Sequence, residues 1–266
     1  MTTRPDDAID DPVVEVRTLS AAYGTVGVLD RVSIDLTRGE VLGVVGENGA
    51  GKTTFADLLL GLVTESARVS GSVTYHPEGR DPVDILELDG SDLQAFRRET
   101  VSVVTHGRGL NPTMTVREQF RDTVGRHADD EGALLAEAGD LLASFGLDAD
   151  RVLDTPPGDL SDGVAETALL VHAIVGDPEV LVVDGRSTAL SRLAARPALL
   201  DERGLTVVAL SRELPTLAAL ADRLAVLADG HFVEVGSTDD VLGDPTHPHT
   251  RELVAYYDDL GESIGR

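Results

Sequence analysis

The chain has 266 residues, 42% of them hydrophobic, no cysteine and a formal net charge of −25. That length supports one substantial core, or a core with a smaller lobe. The lack of cysteine excludes disulfides, thiolate metal sites, iron–sulfur clusters and cysteine nucleophiles, and no run of about 18 uncharged apolar residues marks a membrane-spanning helix. The acids are spread along the whole chain, and such a surface repels nucleic acid and anionic lipid, so nucleic acid is not an expected partner. The charge fits a halophilic source, where salt relieves self-repulsion, and equally an acidic proteome that favours arginine. One count is sharper: of 22 basic residues, Lys52 is the single lysine.

The opening MTTRPDDAIDDP is acidic and has no apolar stretch, so residues 1–11 read as a disordered tail rather than a secretory signal. PVVEVRTL (12–19) alternates as a strand, and RVSIDL (31–36) is its expected antiparallel neighbour. GEVLGVV (39–45) is a short β-branched run of the kind buried on both faces. A glycine-rich stretch follows, and then Phe55, Leu58, Leu59 and Leu62 fall at helical spacing. GSVTY (71–75), ILELDG (85–90) and VSVVT (101–105) read as further strands. From Pro112 to about Ser161 the pattern turns helical, which predicts an insert at 112–161. Beyond it come a helix over VAETALLVHAIVG, a strand over EVLVVD, a helix around 188–202, a strand at 206–210 and a helix around 214–221. LAVLADGHFVEVG predicts a hairpin turning at Asp229-Gly230. The segment 244–266 reads as a C-terminal extension ending in one helix. There is no internal repeat.

GENGAGKT fits G-x-x-x-x-G-K-[ST] from Gly46 to Thr53, and it stands between a predicted strand and a predicted helix. The residues concerned are Gly46, Glu47, Asn48, Gly49, Ala50, Gly51, Lys52, Thr53 and Thr54. Glycines let backbone N–H groups turn inward around phosphate oxygens, and the helix N-terminus adds partial positive charge. Lys52 supplies a compact point charge to the β- and γ-phosphates, a task that suits the wide guanidinium fork poorly. Thr53 supplies a hydroxyl for Mg²⁺. Asp184 closes the apolar run VLVVD, at the end of a strand expected to neighbour that of the glycine loop, where a P-loop fold needs an acid for the metal's water shell. A plain helix-capping aspartate is the alternative.

With these motifs the sequence resembles the ATP-binding subunit of an ABC transporter, over nearly its whole length. Tyr23 in AAYG stands where that family stacks an aromatic ring on adenine; a loop tyrosine packed on the β-lobe is the plainer reading. LSDG (160–163) occupies the place of the signature loop, with Ser161, Asp162 and Gly163 facing the partner's nucleotide. DGRSTALS (184–191) lies where the family has its metal acid, catalytic acid and D-loop, and SREL (211–214) where it has its switch histidine. ADRLAVLADGHFVEVG matches the closing hairpin, while LNPTMTV (110–116) and DPTHPHTREL (244–253) point to the peptide-importer branch. Longer members of that branch carry a cysteine cluster, which this chain lacks.

The resemblance implies an α/β P-loop core with an antiparallel β-lobe and a helical insert, spanning 12–243. It implies ATP and Mg²⁺ as cofactors, with Thr53 and Asp184 at the metal. It also implies transmembrane permease subunits as partners, and a cytoplasmic chain peripheral on the inner face of the membrane. The departures concern hydrolysis. The Q-loop glutamine position is His106, one signature glycine is Asp162, the catalytic glutamate position is Gly185, the D-loop aspartate position is Ser191 and the switch histidine position is Arg212. Gly185 offers no base to an attacking water, and a positioned base contributes about 10²–10⁴-fold. Arg212 keeps a positive charge but cannot accept a proton. His106 either reaches a metal-bound water as glutamine would or is a surface histidine. Three functions follow: a subunit beside a second, intact ATP-binding subunit; a competent ATPase with a substitute base such as Glu213; or a soluble ATP-binding regulator.

Overall fold

The computed structural model describes residues 12–64, 66–105, 109–124, 131–185 and 188–264. The expected tail 1–11 and His106 lie outside these. In chain order the elements begin with β1 (Pro12–Tyr23), β2 (Val26–Thr37), β3 (Val41–Val45), α1 (Lys52–Leu59), β4 (Ala67–Tyr75) and β5 (Val83–Asp84). Next come α2 (Gly90–Glu99), β6 (Val101–Thr105), α3 (Val116–Val124), α4 (Glu131–Ser144), α5 (Ala149–Leu153) and α6 (Asp162–Val175). The remainder is β7 (Val180–Asp184), α7 (Thr188–Ala194), α8 (Pro197–Arg203), β8 (Thr206–Ser211) and α9 (Leu214–Ala218). The chain then closes with β9 (Arg223–Ala228), β10 (His231–Ser237), α10 (Thr238–Gly243) and α11 (Pro248–Ile264).

Two sheets organise the chain. One is antiparallel in the order β2-β1-β4-β5; the other runs β10-β9-β3-β8-β7-β6. In the second sheet β9, β3, β8, β7 and β6 are parallel, and only β10 is antiparallel. Every residue of β3 and β8 is buried, which fits β-branched runs covered by helices on both faces. One core lies between the parallel sheet and α3, α4, α6 and α7. The other joins the two sheets around α1. Phe55 anchors this second core, packing edge-on against Phe232 of β10 at 5.3 Å. Burying such a ring is worth about 1.5–3 kcal/mol.

A charged pair helps join the two sheets. Glu40, 7% exposed, accepts hydrogen bonds from Arg223 Nη1 at 2.8 Å and from the Thr37 N–H at 2.8 Å. Arg223 Nη1 also donates to the Asp35 carbonyl of β2 at 3.2 Å. The buried carboxylate therefore has partners on both of its oxygens, which is what makes a buried charge tolerable.

Three expected elements differ. ILELDG is not a strand: only Val83–Asp84 pair with β4, and Ile85–Glu87 form a 3-10 turn. The Asp84 carboxylate caps that turn by accepting from the Leu86 N–H at 3.0 Å, a local bond that competes with strand pairing. The helix around 188–202 is two helices, because Pro197 lacks an N–H and starts α8. The helix after the glycine loop ends at Leu59, before Leu62, where Gly61 takes φ +62. α3, α4 and α5 fall within 112–161.

Candidate functional site

The site is built from adjacent strand ends. β8 lies between β3 and β7, so Val45 pairs with Ser211 and Asp184 with Leu210. The chain leaves each of these strands at the same edge of the sheet. Gly46 to Gly51 follow β3, Gly185 follows β7 and Arg212 follows β8. Asp184 is expected on a strand next to β3; it is one strand further away, and Arg212 follows β8, which lies between the two.

Two glycines of the loop, Gly46 and Gly51, are required by close backbone approach. A Cβ on Gly46 would lie 2.3 Å from the Leu227 carbonyl oxygen of β9. Gly51, with φ +109, would bring a Cβ within 2.9 Å of the Val28 oxygen. The loop then runs directly into α1, whose first bond is Phe55 N–H to Gly51 O at 2.9 Å. The Lys52 ammonium folds back over the loop, donating to the Gly46 carbonyl at 2.7 Å and the Glu47 carbonyl at 2.8 Å. Burial holds the Lys52 amine below the ordinary lysine range; Asp184 opposes that shift, and Arg212 adds to it. Both charges are therefore felt at the amine.

A cavity of about 760 Å³ opens over these groups. Tyr23, Asn48, Gly49, Gly51, Lys52, Thr53 and Thr54 line it, together with Asp184, Gly185 and Arg212. Tyr23 reaches it from the end of β1, paired with Val26 and Ala67. Ala50 is buried beneath the loop. Gly46 and Glu47 line a second cavity of about 940 Å³, which Asn48 and Arg212 share with the first. Glu213, considered as a substitute base, lines this second cavity and not the first. Gly185 takes φ +120 and donates its N–H to the Leu210 carbonyl at 3.1 Å.

Ser161, Asp162 and Gly163 are not part of this cavity. Ser161 is the N-cap residue of α6, and its carbonyl accepts from Val164 and Ala165 at 2.9 Å. Asp162 sits in the first turn, where a carboxylate favours the helix dipole. Gly163 faces Thr188 of α7, whose N–H donates to the Glu166 carboxylate at 3.0 Å. Ser191 lies within α7.

The sequence reading missed Val28, Leu210 and Ser211, which also line the first cavity. Ser211 carried a signal, as a hydroxyl ending an apolar run. Its Oγ accepts from the Glu213 N–H at 3.0 Å and shapes the turn after β8. Val28 had none, because its place depends on how the β1–β2 hairpin leans over the loop.

The donor set suits a divalent cation bound with phosphate. Among the described residues no group of three or more His, Asp or Glu side chains could hold a metal alone. Thr53 and Asp184 provide one hydroxyl and one carboxylate at the same cavity, and Mg²⁺ characteristically takes few protein ligands beside phosphate oxygens and water.

Among the described residues no helix is long and apolar enough to cross a membrane. The family described as ABC transporter matches residues 29–187. The chain is 31% identical to the dipeptide transport ATP-binding protein DppD of Caldanaerobacter subterraneus subsp. tengcongensis, across 91% of this chain and 77% of that protein. It is 27% identical to the oligopeptide transport ATP-binding protein OppD of Lactococcus lactis subsp. lactis, across 91% and 75%. A solved ATP-binding subunit of an ABC transporter superposes with a TM-score of 0.74 at 23% identity, covering 92% of this chain and 98% of that one. That likeness establishes the fold, an α/β P-loop core with an antiparallel β-lobe. Sequence match and fold agree on one family, and the chain belongs to the ABC transporters.

Proposed function

We propose that this chain is the ATP-binding subunit of a peptide-type importer, that it holds MgATP in the first cavity, and that it hydrolyses ATP slowly. The observation that carries the reading is the meeting of an intact phosphate loop and Asp184 with Gly185 and Arg212 in one cavity. The peptide assignment rests on relatives named as dipeptide and oligopeptide transport ATP-binding proteins.

In this reading the loop N–H groups and Lys52 take the phosphates, and Lys52 exchanges the Gly46 and Glu47 carbonyls for phosphate oxygens. Thr53 and Asp184 hold the magnesium, which neutralises phosphate charge when bound. Tyr23 stacks on adenine. Arg212 neutralises the γ-phosphate and favours bound ATP. Gly185 has no side chain to take a proton from water, so the step loses the contribution of a placed base, about 10²–10⁴-fold. A substitute base at Glu213 is disfavoured because that residue lines the other cavity.

A second, intact ATP-binding subunit is the partner that restores function. A homodimer would pair two such sites with two signature loops bearing Asp162, and a carboxylate there repels the γ-phosphate of the facing nucleotide. Permease subunits would dock beside the LNPTMTV loop, where Gly109, Leu110, Asn111, Met114 and Gln119 line a groove of about 600 Å³. Gln119 braces that loop, donating to the Asn111 carbonyl at 3.0 Å and the Met114 carbonyl at 2.9 Å. In this arrangement the chain is cytoplasmic and attached to the membrane through its partners.

Calorimetric titration with MgATP tests the reading. Wild type should bind, and Lys52→Arg should weaken binding because the guanidinium is too wide for the cradle. Unchanged affinity in Lys52→Arg would remove the assignment. Steady-state hydrolysis by the chain alone at the rate of an ordinary ABC ATPase would remove the slow-site reading.

A further inference from the structure

We infer that helix α11 sets the position of Arg212 through the hydroxyl of Tyr257, which makes Tyr257 a positioning residue for the terminal phosphate; the inference rests on the nucleotide reading above. The Tyr257 hydroxyl donates to the Arg212 carbonyl. The phenol therefore holds the chain next to Glu213, in the turn that joins β8 to α9. Glu213 has φ −88 and ψ 90, neither helical nor paired in the sheet, so the Arg212 carbonyl needs a partner from outside the turn. On the inner side Ser211 Oγ already holds the Glu213 N–H at 3.0 Å. The turn is held by Ser211 from within and by Tyr257 of α11 from outside.

Arg212 lines both cavities. A change in this turn would redistribute its charge between the nucleotide side and the C-terminal side. The charge is felt at both ends: Arg212 pushes the Lys52 amine downward and acts in the same direction on the Tyr257 hydroxyl, whose acidity burial chiefly weakens. The helix that carries Tyr257 is itself anchored. Glu234 of β10 accepts from the Thr246 N–H at 2.7 Å and the His247 N–H at 3.0 Å, just before α11. Tyr256 packs edge-on against the Tyr257 ring at 5.3 Å. A guanidinium is placed for a phosphate only when its backbone is held by such a supporting shell.

The test measures ATP and ADP affinities of the full chain by calorimetry, in wild type, Tyr257→Phe, Arg212→Ala and the double variant. Tyr257→Phe keeps the ring against Tyr256 and removes only the hydroxyl. Loss of the hydrogen bond should weaken ATP by about three- to tenfold, with ADP affected less than about twofold, since ADP lacks the phosphate that Arg212 meets. In the Arg212→Ala background the same change should have no further effect on ATP. Unchanged ATP affinity, equal losses for ATP and ADP, or a loss that persists without the Arg212 side chain each overturn the positioning role. A wild type that binds neither nucleotide overturns the nucleotide-site reading instead, which is a separate result.

Discussion

Asp184 ends β7 and Lys52 follows the loop after β3, two strands separated by β8, yet the Asp184 carboxylate acts on the Lys52 amine and opposes the shift that burial imposes on it. Phosphate binding needs the ammonium form, and burial holds the free protein's Lys52 below the ordinary lysine range. Affinity for ATP should therefore fall as pH rises through the lowered Lys52 pKa. In that window binding should take up a proton, read by calorimetry in two buffers of different ionisation enthalpy. The sign for folding is separate: between the folded and unfolded pKa values the folded state binds fewer protons, so the cost of burying the charge is relieved as pH rises. Asp184→Asn removes the supporting charge and should move the window to lower pH. It should also impair magnesium-dependent binding, because a neutral amide is a poorer partner for the hydrated cation. An unmoved window would separate Asp184 from the amine.

The phosphate loop tolerates a methyl group very differently at two of its glycines. Gly46→Ala places a Cβ 2.3 Å from the Leu227 carbonyl oxygen, so backbone must shift. Overpacking of this kind costs about 1–3 kcal/mol, and the displaced loop should lose most of its affinity for ATP. Gly49→Ala meets open space and pays only for φ +85, about 1–2 kcal/mol. Thermal unfolding with and without MgATP checks both. Equal loss of ATP stabilisation in the two variants would show that the loop responds to strain and not to the Leu227 contact.

The strands and helices that carry the site were legible because their signals are local. The runs ending at Val45 and Asp184 are uniformly apolar and lie between punctuating glycines. The strand order was not legible, since nothing in either run states that β8 separates them. ILELDG misled because its alternation resembles a strand, while Asp84 makes a capping bond that pattern counting does not register. Gly185 and Arg212 could be singled out from motif spacing, and both line the first cavity. The backbone of Gly185, at φ +120, could not, and neither could the attachment of Tyr257 to Arg212 across 45 residues.

Glu234 anchors the entry to α11 and should make the C-terminal helix sensitive to acid. Burial pushes its carboxyl up, but bonds from the Thr246 N–H and hydroxyl and the His247 N–H outweigh burial and leave it below the ordinary glutamate range. A depressed folded pKa contributes stability that is present above the unfolded value and is lost as pH falls through the folded value. Glu234→Gln should remove that dependence and destabilise the segment by about 1 kcal/mol, allowing for its partial exposure. Hydrogen exchange of the first turns of α11 reads it directly. Exchange that is unaltered by the substitution and by acid would show that the helix is held elsewhere.

The slow step is expected at Gly185, and the structure makes its repair harder than the sequence suggests. A glutamate at that strand tip restores a side chain able to orient water, and a tenfold gain corresponds to about 1.4 kcal/mol of barrier. But Gly185 adopts φ +120, a conformation that costs a side-chain-bearing residue about 1–3 kcal/mol. The turn must either relax, breaking the 3.1 Å bond from the Gly185 N–H to the Leu210 carbonyl, or keep its shape and aim the carboxylate poorly. Gly185→Glu should therefore lower thermal stability, leave MgATP affinity nearly intact and raise the single-turnover rate by about tenfold, short of the 10²–10⁴-fold that a well-placed base supplies. Arg212 and Ser191 remain altered and limit the gain further. The measurement is single-turnover hydrolysis of saturating MgATP, with the proposed second ATP-binding subunit present and its own hydrolysis site inactivated. If the wild-type site already turns over as fast as an ordinary ABC site, position 185 is not the deficit. If Gly185→Glu reaches the full rate without loss of stability, the glycine conformation is not a barrier and the turn is free to accept an acid.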